Sequence, residues 1–204
     1  LADFVKHPKA RDCRLVEAHV VAVRYYTTAG YQSINNPLRD QERKRRGEAH
    51  PLPITVAFIV EALGMLRQVE ADESARANQD VDLYRGMKNV ATSDEFLRKG
   101  GTELAPMSTT SNLKVAMEYS ASPKAVLLRL RTKNFMQRGP QLSFLSAFPG
   151  EDEYLFPCAS TLLSRPHHSS QRALVVTQAS DLPSPDGRHR EARGRRRRLP
   201  RRRR

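Results

Sequence analysis

Residues 148–157 read FPGEDEYLFP, and this segment decides the interpretation of the whole chain. Pro149 and Gly150 are typical of a turn, and the residues after them predict the last clear strand. Side chains two residues apart on a strand point to the same face, roughly 7 Å apart at two strand rises. We therefore expect Glu151 and Glu153 to face one cleft while Asp152 faces away. An acidic triplet taken alone is more typical of a solvated turn.

Two upstream segments also carry chemically useful side chains. Arg85 lies in YRG within the strand-like stretch 81–87, and STT at 108–110 follows a glycine-rich entry. Each has an ordinary structural explanation as well. A strand arginine is commonly a surface charge, and Thr110 or Ser111 suits the cap of a helix predicted at 111–120.

The order of predicted elements favours the α+β class. Apolar residues at helical spacing predict helices first, and several short strands follow, without alternating βαβ units. The Asn and Pro residues of SINNPLRD, at 33–40, predict a turn. The predicted helices cover residues 11–26, 53–69, 93–98 and 111–120, and the predicted strands cover 81–87, 125–131, part of 142–147 and 151–157.

The charge of the chain is concentrated at its C-terminal end. The 204 residues carry a net charge of +13, of which residues 165–204 hold +10 through 13 Arg against three acidic residues. A segment of this composition cannot bury apolar surface and is expected to be a disordered tail. Three interpretations stay open: an arm for nucleic acid or nuclear import, a solvated tail without a partner, and read-through of GC-rich noncoding sequence.

The composition excludes several classes of protein. Cys13 and Cys158 are too few for a disulfide scaffold or a four-cysteine zinc module, and both are expected to be free thiols. No His/Cys cluster has metal-ligand spacing, so no metal site is expected. No apolar run approaches the roughly 20 residues of a membrane helix, and no signal-peptide core is visible at the start. We expect an intracellular protein whose N-terminus, at Leu1, is incomplete.

Together and in this order, the three segments resemble the arginine-specific ADP-ribosyltransferases of the R-S-E type. YRG supplies the arginine, STT the Ser-Thr-Ser element, and EDE the Glu-x-Glu element. SINNPLRD resembles the Asn-x-x-Leu-Arg segment found upstream in these enzymes. The resemblance covers about residues 15–163. It departs at Thr110, where the family has a serine, and at CASTLLS (158–164), where the family has a closing strand with Pro and Thr.

This resemblance implies a fold and a reaction. The fold is a helical N-terminal part packed on a split mixed β-core with an NAD cleft, here the catalytic domain at 1–164. The reaction is the transfer of ADP-ribose from NAD, the cosubstrate, to arginine side chains of a protein acceptor. Nicotinamide is released.

The resemblance also implies roles for individual residues. Glu153 would bond the ribose 2′-OH and offset the charge of an oxocarbenium-like state. Glu151 would hold the target guanidinium and help remove its proton, and Ser108 would orient Glu153 or the ribose. NAD-binding residues would be Arg85, clamping the phosphates, together with Gly86, Ser108, Thr109 and Thr110. Tyr119, Phe144 and Phe148 are candidates for nicotinamide or acceptor packing, although plain core or loop packing is commoner for such residues.

Three alternatives remain at this level. The first is a degenerate relative that binds NAD without transfer, motivated by the altered sequence after Phe156. The second is an NAD glycohydrolase that uses water as the acceptor. The third is a nucleic-acid-binding protein that acts through the tail alone. The eight terminal arginines at 195–204 are also expected acceptors for self-modification.

Overall fold

The computed structural model describes residues 1–70, 79–134 and 137–164, and the backbone of 71–72 and 173–178. The N-terminal half is helical because its apolar residues recur at helical spacing. Its elements are α1 (Ala2–Lys6), α2 (Pro8–Asp12), α3 (Glu17–Tyr25), a kinked π-helical turn (Tyr26–Gly30), α4 (Tyr31–Arg39), α5 (Gln41–Arg45) and α6 (Pro53–Asp72). Two short helices occur later in the chain, α7 (Asp94–Lys99) and α8 (Leu113–Tyr119).

The second half forms two antiparallel sheets. The larger has the strand order β5-β3-β1-β4-β7, and the smaller pairs β2 with β6. The strands are β1 (Val81–Lys88), β2 (Gly101–Glu103), β3 (Met107–Thr110), β4 (Ala125–Thr132), β5 (Glu153–Phe156), β6 (Ser160–Leu162) and β7 (Ala173–Gln178). In the larger sheet, Tyr84 on β1 is opposite Thr110 on β3, and Thr110 is opposite Glu153 on β5. The three segments singled out in the sequence thus lie on three adjacent strands.

The large sheet separates two hydrophobic cores. One core joins the helices to the turn before β5 and includes Ile34, Leu63 and Leu155. The other includes Leu83, Met107 and Phe156. Leu155 and Phe156 are consecutive and belong to different cores, as strand alternation requires. Ser108, one residue after Met107, is therefore on the opposite face from that residue.

Most predicted elements are confirmed. The prediction of a helix at 53–69 matches α6, which begins at Pro53 as helices with proline in the first turn do. The strands predicted at 81–87 and 125–131 match β1 and β4. Helix α7 begins after Ser93, whose Oγ accepts a hydrogen bond from the Phe96 N–H at 3.1 Å. The α+β class is therefore confirmed.

Three local predictions are wrong. SINNPLRD is helical within α4, with Pro37 inside the helix, because fully buried Ile34 anchors it in the helical core. Residues 142–147 form a turn closed by a bond from the Leu145 N–H to the Leu142 carbonyl, at 2.8 Å. The helix expected at 11–26 is interrupted, since α3 starts at Glu17 after extended Val16.

The cap of α8 also differs from the expectation. Asn112 caps this helix through Oδ1, which accepts from the Lys114 N–H at 3.0 Å. Thr110, one of the two expected caps beside Ser111, accepts instead from the Asn112 N–H at 2.9 Å. This leaves Thr110 in the wall beside β5.

The sheet continues past residue 164, where the predicted catalytic domain ends. Backbone residues 173–178 form β7, antiparallel to β4, with Val176 opposite Leu128. This segment, ALVVTQ, includes the apolar run of the basic tail and is rich in strand-favouring residues. The rest of the predicted disordered tail lies outside the described residues.

Candidate active site

A cavity of about 350 Å³ lies where β1, β3 and α8 meet the π-helical turn. Strand pairing explains its composition, because residues distant in sequence become neighbours across β1, β3 and β5. All seven predicted site residues contribute to its lining: Arg85, Gly86, Ser108, Thr109, Thr110, Glu151 and Glu153. The structure therefore brings together the full set that sequence reasoning selected.

Arg85 supplies the positive charge of the cavity. It is half-buried on β1, and its Nη1 donates a hydrogen bond to the carbonyl oxygen of Ser108 at 2.7 Å. Burial lowers the pKa of Arg85, although a guanidinium stays protonated in proteins. A guanidinium carries five N–H donors, so the bond to Ser108 leaves others for an anionic ligand.

Glu153 is a buried carboxylate, 7% exposed, at the start of β5. Its Oε2 accepts a hydrogen bond from the Ser146 hydroxyl at 3.1 Å. Burial raises the pKa of Glu153; the side chains of Ser108 and Ser146 oppose this rise by hydrogen bonding, and the charge of Glu151 adds to it. Perturbed carboxyl groups of this kind are concentrated at catalytic sites.

Glu151 lines the same cavity, but from a turn and not from the strand expected from the sequence. It lies in a 3₁₀ turn (Pro149–Glu151), and Asp152 adopts a left-handed conformation with φ 47°, so β5 begins only at Glu153. The expected strand geometry of Glu151 and Glu153 is therefore wrong, although both line the cavity. The turn leaves Glu151 more exposed than Glu153.

Tyr119 on α8 holds the Glu151 carboxylate. Its hydroxyl donates to Glu151 Oε1 at 3.0 Å, while the residue itself is 50% exposed at the rim of the cavity. Partial burial and then the hydrogen bond to Glu151 raise the pKa of Tyr119 to about 12. The phenol is consequently a neutral donor throughout the physiological range.

The remaining predicted residues shape the wall. Thr109 Oγ1 donates to the Tyr154 carbonyl at 2.9 Å, and Thr110 Oγ1 donates to the Glu151 carbonyl. A Cβ placed on Gly86 would lie 1.9 Å from the carbonyl oxygen of Ala116, so β1 and α8 approach closely only because this residue is glycine. These residues fix the positions of Glu151 and α8.

Sequence reasoning missed a buried pair at the inner end of the cavity. The Tyr26 hydroxyl donates to the Pro106 carbonyl at 2.7 Å and accepts from Asn35 Nδ2 at 3.2 Å. Burial raises the pKa of Tyr26 to about 12. Asn35 is 1% exposed, and its Oδ1 lacks a hydrogen-bond partner within the described residues. The Asn-x-x-Leu-Arg likeness around Asn35 was the signal that could have found it.

The same α4 segment carries an ion pair that holds the helix near the sheets. Arg39 makes two hydrogen bonds to the Glu103 carboxylate, at 3.0 and 2.9 Å. Burial would raise the pKa of Glu103, but these bonds and the Ala105 N–H hold it below its ordinary value. The pair thus ties α4 to the stretch that leads into β3.

The three aromatic residues proposed for nicotinamide or acceptor packing differ in position. Tyr119 and Phe148, which is 54% exposed, line the cavity. Phe144 instead stacks on His7, with ring centroids 4.7 Å apart, and packs against the helical core. Its expected contact with nicotinamide or acceptor therefore has no support from its position. Phe144 acts in packing, as the commoner interpretation of such a residue holds.

The described residues show no metal cluster and no membrane-spanning helix. No group of three or more His, Cys, Asp or Glu side chains there could hold a metal ion. Among the helices of the described residues, none combines the length and apolar character required to cross a membrane. Cys158 is a free cysteine, and Cys13 is buried in the helical core.

Solved structures with the same architecture are ADP-ribosyltransferases. HopU1 of Pseudomonas syringae pv. tomato DC3000 has a TM-score of 0.57 and 22% identity, with 86% of this chain and 82% of that chain covered. The Vis toxin of Vibrio splendidus has a TM-score of 0.57 and 22% identity, with coverage of 88% and 83%. Exoenzyme S of Pseudomonas aeruginosa, solved with human 14-3-3 protein beta and carba-NAD, has a TM-score of 0.50 and 19% identity, with coverage of 88% and 87%.

These similarities establish the ADP-ribosyltransferase fold for the chain. No curated protein sequence matches the chain significantly. Residues 7–173 match the family model described as ADP-ribosyltransferase exoenzyme. The chain belongs to this family. It is an ADP-ribosyltransferase, and NAD is its substrate.

The polar groups that line the cavity are of kinds that suit NAD. The N–H donors of Arg85 beyond the one bonded to Ser108 suit its phosphate oxygens. The buried Oδ1 of Asn35, which has no hydrogen-bond partner within the described residues, can accept from a ribose hydroxyl or an amide. Glu153 supplies a buried carboxylate for a further hydroxyl group. The volume is within the range of ligand pockets, about 300 Å³ and above. The residues present thus fit the substrate.

Proposed function

We propose that the enzyme transfers ADP-ribose from NAD to the guanidinium group of arginine side chains on a protein acceptor. The proposal rests on the different environments of the two glutamates. Glu153 is buried among hydroxyl groups, and Glu151 lies at the more exposed rim with its carboxylate held by Tyr119. One carboxylate is placed to act on the ribose, and the other is accessible to a cationic acceptor.

Glu153 acts on the nicotinamide ribose in this proposal. The bond between C1′ and the nicotinamide nitrogen breaks, and nicotinamide leaves as a neutral molecule with the bonding electrons. Positive charge grows on the ribose in the transition state. A preorganised carboxylate beside it offsets that charge without reorganisation, and Ser108 and Ser146 support its ionised form.

Glu151 acts on the acceptor. A guanidinium is protonated at ordinary pH and is a poor nucleophile until a base takes a proton from it. An accessible carboxylate attracts the cation and accepts this proton as the new bond from nitrogen to C1′ forms. Arg85 holds the NAD phosphates in the meantime, so the donor is fixed while the acceptor approaches.

The test is a transfer assay with labelled NAD and agmatine, a small guanidino acceptor. Glu153→Gln should lose both transfer and NAD hydrolysis. Glu151→Gln should lose transfer and retain hydrolysis in the absence of acceptor. Asp152→Asn is the matched control, because it neutralises the exposed carboxylate between them and should retain both activities. Transfer by Glu151→Gln at the wild-type rate would refute the acceptor role.

The assay also separates the competing interpretations. Release of free ADP-ribose at the same rate with and without agmatine, and no labelled agmatine, would identify an NAD glycohydrolase. No turnover by a protein shown to be folded would identify a degenerate relative. Deletion of 179–204 leaves β7 in place and should preserve transfer to agmatine. Loss of nucleic-acid binding on that deletion would assign such binding to the tail.

The tail offers a convenient first acceptor under the same proposal. Residues 195–204 include eight arginines. We expect mass spectrometry of the protein incubated with NAD to detect ADP-ribose on these residues. Absence of the modification there would remove self-modification from the proposal, while transfer to agmatine would remain testable.

A further inference from the structure

The hydroxyl group of Ser146 is placed to act on Glu153, and nothing in the sequence motifs includes it. Ser146 is buried in the turn before β5. Its Oγ donates to Glu153 Oε2 at 3.1 Å and accepts from the Phe148 N–H at 3.1 Å. A carboxylate can only accept, so the single hydroxyl proton is directed at Glu153 and the Phe148 N–H occupies a lone pair.

The turn that carries Ser146 is held firmly by the helical layer. Arg24 Nη1 donates to the Leu145 carbonyl at 2.9 Å, and Thr27 Oγ1 accepts from the Ala147 N–H at 3.0 Å. These bonds lie on both sides of Ser146 in sequence. The hydroxyl group is therefore preorganised by neighbours, as a supporting residue of a functional site needs to be.

The same turn also leads to Glu151. The Glu151 N–H donates to the Phe148 carbonyl at 3.0 Å, so the residue bonded to Ser146 Oγ also closes the 3₁₀ turn. A continuous set of hydrogen bonds thus links Glu153, Ser146, Phe148 and Glu151. The two carboxylates are placed by one loop.

We propose that Ser146 is a second positioning serine, which acts with Ser108 to orient the Glu153 carboxylate for NAD cleavage. This inference rests on the proposed role of Glu153. Ser146 itself does not contact the reacting atoms in the proposal; it acts through Glu153. Its loss is expected to change the ionisation of Glu153 as well as its orientation.

Other charged and titratable groups also interact with Glu153. Arg85 favours the ionised carboxylate and Glu151 disfavours it. Burial, with the charge of Glu153 as a smaller cause, raises the pKa of Tyr26 and of Tyr119 to about 12, so both phenols are neutral across the working range. With these groups unchanged, removal of the Ser146 hydrogen bond raises the pKa of Glu153 further.

The experiment measures kcat for NAD hydrolysis without acceptor as a function of pH. Ser146→Ala should move the acidic limb to higher pH by about 0.7 unit, from the loss of a bond of about 1 kcal/mol at 1.36 kcal/mol for each pKa unit. The loss of kcat should be greater below the midpoint of the acidic limb than on the plateau of the pH profile. Ser143→Ala is the matched control, since Ser143 lies in the same turn and its Oγ has no partner within the described residues.

The outcomes separate this inference from the proposed function. If the acidic limb of the Ser146→Ala profile coincides with the wild-type limb, the role of Ser146 is overturned. A loss of kcat that is equal at every pH would overturn it as well. Retained hydrolysis by Glu153→Gln would overturn the role of Glu153 instead. Ser146→Cys keeps a similar shape with a weaker donor. It should shift the limb in the same direction by less, which keeps the test decisive if Ser146→Ala is unstable.

Discussion

The hydrogen bond from Tyr119 to Glu151 gives a quantitative prediction about acceptor binding. Tyr119→Phe removes the hydroxyl group and keeps the ring at the rim of the cavity. A hydrogen bond to a charged group contributes about 1.5–3 kcal/mol when buried. Tyr119 is 50% exposed, and solvent screening reduces the value to about 1 kcal/mol. This corresponds to a rise of about fivefold in KM for agmatine, at 1.36 kcal/mol for each tenfold change.

The pH dependence of this effect follows from the phenol. The pKa of Tyr119 is raised to about 12, so the donor proton is present up to well above pH 9. The fivefold ratio between variant and wild type should therefore be the same at pH 7 and pH 9. NAD hydrolysis without acceptor should change less than twofold, because Glu153 keeps its contacts.

The assay compares initial rates of agmatine modification at saturating NAD. Tyr25→Phe is the matched control, because its hydroxyl bonds Ser33 on the outer surface and the residue is absent from the cavity wall. Equal agmatine KM values for wild type and Tyr119→Phe would refute the reasoning. A fall in NAD hydrolysis that matches the fall in transfer would show that Tyr119 acts on the donor side.

Two predictions concern stability. Gly86→Ala should lower the free energy of unfolding by about 1–3 kcal/mol, and lower activity, because the added Cβ would lie 1.9 Å from the Ala116 oxygen. The free energy of unfolding is measured by urea titration. Gly64→Ala is the control, because Gly64 faces open space on α6 and its replacement should be neutral or stabilising. Glu103→Gln should destabilise the fold at pH 7 because it breaks the pair with Arg39. The folded-state pKa of Glu103 is below its ordinary value of 4.5, so its contribution is present above pH 4.5 and is lost as the pH falls through the folded-state pKa. A wild-type-to-variant difference that stays constant down to pH 3 would contradict the second prediction.

The chemistry of the site could be predicted from the sequence better than its geometry. Arg85, Ser108 and Glu153 were identified because their residue types and their order match a family pattern, and three adjacent strands bring them together. The placement of Glu151 could not be derived from strand periodicity. The left-handed conformation of Asp152 depends on the turn before it, and a period-2 pattern contains no information about that turn.

The residues that were missed act through tertiary contacts. Asn35 and Pro37 favour a turn by local propensity, and the helical core and the bond to Tyr26 override that preference. The apolar residues around Ser146 predict a short strand, whereas in the structure they form a turn against the helices. Local sequence signals cannot reveal a contact of this kind, which depends on chain segments about 120 residues apart.

The strand order has a consequence for how the enzyme gains its activity. The cavity requires pairing of β1 with β3 and of β3 with β5, and β5 follows β3 only after α8 and β4. Such non-local pairings slow folding, because the chain loses entropy on closing each loop before the new contacts offset that loss. We expect catalytic competence to return late during refolding, after the helical signal in circular dichroism has recovered. Nascent chains released before β5 would then be inactive, which confines ADP-ribosylation to molecules that have completed the sheet.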